Sequence, residues 1–178
     1  MDAISKMINA IMIIFGMFVV TTSIYATLSD RVTQESITVA TTKFSDTVRK
    51  QGKLTQETYN DFVNQLNAEG ILFNIDMTYA KEVYNPTGNE GSFTSEECYY
   101  SQDLLDGLFR GDASGKAIDG TADGVVYFSK GDTFTVHITN RSETLGEKFR
   151  KFLPWYALSK QPGIDACAGG LVRDEVRG

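Results

Sequence analysis

Histidine, cysteine and proline are all scarce in this 178-residue chain, and each scarcity excludes something. His137 is the only histidine, so a catalytic triad or a histidine-based zinc centre has almost nothing to draw on. The two cysteines, Cys98 and Cys167, are too far apart for a CxxC metal or redox motif. Glycine-rich phosphate loops of the P-loop or dinucleotide type are missing, and no internal repeat occurs. With 17 basic against 23 acidic residues the formal charge is -6, which argues against nucleic acid as a partner. No cofactor, small-molecule substrate or enzymatic activity is indicated. With 11 Phe and 8 Tyr, on the other hand, the chain has enough aromatics to fill a core.

Charge is also absent locally. Positions 7–29, MINAIMIIFGMFVVTTSIYATLS, lie uncharged between Lys6 and Asp30. At about 1.5 Å per residue this run reaches roughly 34 Å as a helix, enough to cross a hydrocarbon core of about 30 Å. A transmembrane helix is the direct reading; a secretory signal cleaved after Ala26 and a buried core helix are the alternatives. Lys6 favours a cytoplasmic N-terminus, whereas Arg31 and Lys43 pull the other way. The acidic, Thr-, Tyr- and Gly-rich remainder with its two cysteines tips the expectation toward an extracytoplasmic C-terminal part. Asp2 and Lys6 cancel, so the net charge belongs to that part.

Neither Gly nor Pro interrupts the stretch from Met17 to Gln51. Ile37, Ala40, Phe44 and Val48 recur at steps of three, four and four, on one helical face. The density of Val, Ile and Thr between Val32 and Val48 lowers helix propensity, but the periodicity outweighs it. The expectation is one rod from Ser5 to Gln51, on the order of 70 Å long, capped by Gly52. Four segments follow from this: a tail at 1–6, a transmembrane helix at 7–29, an amphipathic extension at 30–52, and a head at 53–178.

The head reads as α+β. Thr55 can cap a helix through NDFVNQL that Gly70 closes. Ile71, Phe73, Ile75, Met77 and Tyr79 alternate with Leu72, Asn74, Asp76 and Thr78 as in a half-buried strand, which Pro86 ends. GVVYF from Gly124 and TFTVHIT from Thr133 suggest an antiparallel hairpin with Phe134, Val136 and Ile138 on one face and a solvated His137 on the other. Residues 85–123 read as an irregular excursion broken by a helix from Ser101 to Phe109. Its Asp112, Asp119 and Asp123 invite a calcium reading, but Ser114 and Lys116 spoil the EF-hand pattern, and a solvated loop is the simpler account. Ser142 can cap a last helix with Leu145, Phe149, Phe152 and Leu153 on one face and Lys148, Arg150 and Lys151 opposite. Such a helix either packs on the domain or lies on anionic lipid. A final strand, GGLV, closes the head. Were the head outside the cell, a Cys98–Cys167 disulfide would tie the long excursion to the C-terminal segment, two thiols being the alternative. Asn140, Arg141 and Ser142 form a glycosylation sequon, relevant only in a eukaryotic secretory host.

A hydrophobic helix running into an amphipathic extension and a small antiparallel head resembles the plan of pilins and pseudopilins. With QGKLTQETYNDFVNQL, GDTFTVHI and GGLVRDE, the chain resembles the TadE-like, pilin-related proteins of bacterial tight-adherence and type IV-like pilus systems. The resemblance covers most of the chain without a single diagnostic motif. It departs at the leader, because Gly16 lies inside the apolar run and Thr21, not Glu, stands five residues on; an unprocessed Met1 is expected. The resemblance implies a structural or assembly component of a surface filament or secretion apparatus, its partners the membrane and other subunits or further copies of itself. Ile37, Ala40, Phe44 and Val48, with Gly16 in the bilayer, would pack neighbouring helices. A single-pass accessory or sensor protein with a ligand- or partner-binding head is the alternative.

Overall fold

The computed structural model describes residues 2–84, 94–110, 124–152, 163–173 and 175. The fold is α+β, a long N-terminal helix followed by a small antiparallel sheet with flanking helices. Helix α1 runs unbroken over Asp2–Gln51, about 75 Å, and stops where Gly52 takes φ 62°, a left-handed conformation that glycine adopts without strain. Strand β1 (Lys53–Thr55) leads into α2 (Gln56–Asn67), whose first turn is capped as expected: Thr58 N–H donates to Thr55 Oγ1 at 3.2 Å.

Next come β2 (Phe73–Tyr84), β3 (Thr94–Tyr100), α3 (Ser101–Phe109), β4 (Val125–Tyr127), β5 (Thr133–Asn140), α4 (Leu145–Phe152) and β6 (Asp165–Leu171). The main sheet has the order β3-β2-β5-β6, antiparallel throughout. The alternation in β2 and β5 does what a period of two requires. Met77, Tyr79, Phe134, Val136 and Ile138 point into the core, and His137 lies on the outer face in register with Asp76 and Cys167.

Four expectations are corrected. The largest concerns α1: Ile37, Phe44 and Val48 are buried in the head's own core, with Ala40 partly buried against it. Phe44 stacks on Phe62 of α2, ring centroids 4.2 Å apart and planes 6° from parallel, and meets Phe134 edge-on. The stripe is thus satisfied within the chain, and residues 30–52 are the core helix of the head rather than a separate extension.

The hairpin is also different. β4 pairs with β1, and β5 pairs with β2 and β6, so the two supposed arms belong to different sheets. Phe128 explains the divergence: it follows β4 directly, donates its N–H to Gly52 O at 2.8 Å, and inserts its ring between Tyr79 and Phe134. The chain then turns at Ser129–Asp132, where Gly131 has φ 98°. The buried Asp132 carboxylate anchors this turn, accepting from the Tyr79 hydroxyl at 2.5 Å and from Ser129 N–H at 3.2 Å. Burial and the adjacent carboxylate push the Tyr79 phenol well above its usual range.

Within the supposed irregular excursion, 94–100 forms β3, an acid-rich edge strand whose composition gives little sign of pairing. The helix that follows it spans Ser101–Phe109, as read from the sequence. Asp112, Asp119 and Asp123 lie outside the described residues. Finally, α4 is capped by Thr144, not Ser142: Glu147 N–H donates to Thr144 Oγ1 and Thr144 N–H to Glu147 Oε2, a reciprocal capping box. Ser142 instead accepts from Leu72 N–H across to the start of β2.

The candidate membrane anchor and its junction with the head

α1 has two halves with opposite surroundings. From Ala3 to Phe18 every residue is exposed, Ile4, Ile11, Ile14, Met17 and Phe18 each by 60% or more. This helix is long and apolar enough to span a membrane, and none of its most apolar window is covered by the rest of the chain. The hydroxyls near the end of the span are satisfied without water. Thr21, Thr22, Ser23 and Thr27 donate to the carbonyls of Met17, Phe18, Val19 and Ser23 at 2.8–2.9 Å. Hydrocarbon penalises an unpaired hydroxyl, and back-bonding to the preceding turn removes that penalty. Around Gly16 the space is open, with no heavy atom within 4 Å of where a Cβ would stand.

Contact with the head begins before the apolar run ends. Val19, Thr22, Ser23 and Thr27 are partly buried and Ala26 is buried, so one face of the last third of the uncharged segment is already covered. α4 packs against α1 here. Asp30, the first charged residue after the run, accepts from Gly146 N–H at 3.2 Å in the first turn of α4. A carboxylate at that position complements the positive end of the helix dipole. A Cβ on Gly146 would stand 1.9 Å from Asp30 Oδ2, so the contact depends on glycine.

Further up, α1 runs beside β6 in the same direction. Gln34 closes the lower end: its Nε2 donates to Asp165 O at 2.6 Å and its Oε1 accepts from Asp165 N–H at 3.1 Å, as a neighbouring strand would do. Arg49 closes the upper end through Nε to Leu171 O at 3.0 Å. From 34 to 49 a helix advances about 22 Å, and from 165 to 171 a strand advances about 20 Å, so the two clamps match in spacing. An α-helix laid along an edge strand blocks pairing with another chain at that edge.

The other predicted residues separate. Cys98 and Cys167 lie on the two edge strands, and no disulfide joins them. Three strand spacings amount to about 14 Å. Cys98 is in register with Ala80 and hence Thr133, whereas Cys167 is in register with His137, which adds about 13 Å along β5. A disulfide needs Cα atoms within about 7 Å. His137 Nε2 lies 2.7 Å from Asp165 Oδ1 on the solvated face. Among the described residues, no three His, Cys, Asp or Glu side chains converge to hold a metal ion.

Sequence reasoning missed a second feature. On the side of α1 away from the head, Tyr25, Leu28, Val32 and Val39 are 53–71% exposed, at steps of three, four and seven. This apolar face continues past Asp30 into the part of α1 that belongs to the head. The sequence signal was present, but it competes with the stripe Ile37–Val48, and only burial tells the two apart. Comparison with protein-family models, with curated proteins and with solved structures finds no match to this chain.

Proposed function

We propose that the protein is a membrane-anchored, pilin-like structural or assembly component of a bacterial surface filament or secretion apparatus, with its head on the extracytoplasmic side and no catalytic step of its own. The observation that carries this reading is the exposed apolar face of α1. An anchor alone needs apolar surface only within the bilayer. Tyr25, Leu28, Val32 and Val39 extend that surface across the membrane boundary, where water would otherwise meet Val32 and Val39. A helix of a neighbouring subunit or of a second copy, inserted in the same membrane, would cover them side by side. In lipid such contacts rely on close packing, which the open surroundings of Gly16 permit. The resemblance in plan to TadE-like and pilin-related proteins supports the same role.

The test is a pair of charge substitutions, Val32→Glu and Val39→Glu, in the full chain. Both side chains are exposed, so the thermal transition of the head stays within a degree or two of wild type. Recovery of the protein in membrane complexes or filaments, and cross-linking between neighbouring chains, falls sharply. Unchanged recovery with both substitutions in place would reject the assembly reading.

A further inference from the structure

The part of α1 left free below the head is shorter than a bilayer is thick. Between Lys6 and Val19, the first residue that the head covers, stand the twelve residues Met7–Phe18, about 18 Å of helix. Counting from Ala3 lengthens this only to about 24 Å, against a hydrocarbon core of about 30 Å, and any tilt adds to the demand. With Lys6 at one boundary, 30 Å of helix ends near Ala26. Val19, Thr22, Ser23 and Ala26 therefore lie within the core although the head covers them, and whatever covers them shares their depth.

The sheet does not reach this level. The Gln34 clamp on Asp165 marks the foot of β6, and Asp165 is in register with Thr139 near the end of β5. Among the described residues, α4 is the element that goes lower, packed on α1 with its first turn bonded to Asp30. Asp30 stands about 6 Å above Ala26 along the helix, the thickness of one headgroup layer. Two observations at this end of the head agree. The hydroxyls of Thr21, Thr22, Ser23 and Thr27 all return to carbonyls of the preceding turn, as hydrocarbon demands. Leu72 lies two residues beyond the register of Asp165, about 7 Å down the sheet, which brings it level with Asp30. Its side chain is 63% exposed, and its backbone is fixed by Leu72 N–H to Ser142 Oγ and by Arg141 and Ser142 N–H to Leu72 O, just ahead of α4. An apolar side chain held outward at that depth gains from lipid contact.

We propose that the head is sunk into the interface of the bilayer that α1 spans, with the first turn of α4 and Leu72 at headgroup depth, rather than held clear of it on a stalk. The partner of this surface is the lipid layer itself. The bilayer then fixes the height of the head as well as its attachment. The inference rests on the anchoring half of the proposed function and not on assembly.

Single spin labels on the full chain in phosphatidylcholine bilayers read the depth, with Cys98→Ser and Cys167→Ser removing the native thiols. The labels enter at exposed positions: Ile11→Cys in the free span, Ile24→Cys on the open side of the covered stretch, Leu72→Cys and Lys148→Cys at the base of the head, and Glu57→Cys at its far end. The Ile24 label, like that at Ile11, meets oxygen dissolved in lipid and not a water-soluble nickel chelate. Labels at Leu72 and Lys148 meet the chelate severalfold less often than that at Glu57, and nickel carried on lipid headgroups broadens their spectra. In a short-chain lipid whose core is close to the about 18 Å of free helix, the head lifts clear and this protection is lost. An Ile24 label as open to the chelate as that at Glu57, or equal access at Leu72, Lys148 and Glu57, overturns the proposal. So does protection at Leu72 that headgroup nickel does not reach, because protein and not lipid then covers it. An Ile11 label open to water is a separate outcome, which removes the anchor and this proposal together.

Discussion

Phe44→Ala is the substitution that most directly separates the two roles of α1. If the stripe Ile37–Val48 is the core of the head, removing the Phe44 ring damages an isolated monomer. If it were an assembly surface, the monomer would hardly notice. Phe44 is 4% exposed, lies flat on Phe62 and meets Phe134 edge-on. Truncating a buried Phe to Ala costs about 3–5 kcal/mol, and each lost aromatic pair contributes roughly 0.5–1.5 kcal/mol of that kind of loss. Domains of this size hold about 5–15 kcal/mol in total, so the head keeps only part of its margin. At roughly 2–4 °C per kcal/mol, the midpoint falls by about 6–20 °C. Thermal unfolding of the detergent-solubilised chain, followed by intrinsic fluorescence, reads this directly. Val39→Ala, on the opposite face and 66% exposed, is the control and shifts the midpoint by no more than a degree or two. A Phe44→Ala midpoint equal to that of the control would refute the placement of α1 in the core.

Two further outcomes follow from the same geometry. The Tyr79 phenol is raised in the folded state, so its contribution is fully present below the unfolded value of about 10 and is lost as pH rises toward the folded value. Stability therefore declines above about pH 10 by up to about 1.4 kcal/mol per pH unit, and Tyr79→Phe flattens that decline while lowering stability near neutrality by about 1–3 kcal/mol through the loss of its bond to Asp132; denaturant titrations at stepped pH check both. For the cysteines, mobility on denaturing gels of the monomer is the same with and without reductant, and Cys167, being exposed, is alkylated in the native protein. A faster-migrating oxidised monomer would contradict the strand placement.

Most of the individual elements were legible because they rest on local chemistry. α1 needs only an uninterrupted run of helix-compatible residues and Gly52 to end it; α2 needs Thr55, and α3 runs over the residues the sequence suggested. The apolar span follows from composition alone, whereas its exposure, as against burial in a core, is read only from the structure. What failed depended on partners distant in sequence. β4 and β5 alternate like the arms of a hairpin, yet period-two patterning says which face is buried and not which strand lies alongside. β3 is polar because it is an edge, and an edge strand has no apolar pattern to betray it. Ser142 and Thr144 are equally good caps on paper; the one nearer to Glu147 by a capping-box spacing wins, and Leu72 takes the other.

The sequence by itself determined that this chain has an apolar helix long enough for a membrane, joined without a break to an α+β head. Only tertiary structure decided which face of that helix the head consumes. Both Ile37–Val48 and Tyr25–Val39 satisfy helical periodicity, and periodicity is a property of one helix alone. The choice was made by Phe62, Phe134 and the narrow sheet edge at β6, which admit α1 with Phe44 turned inward and leave Val32 and Val39 outside.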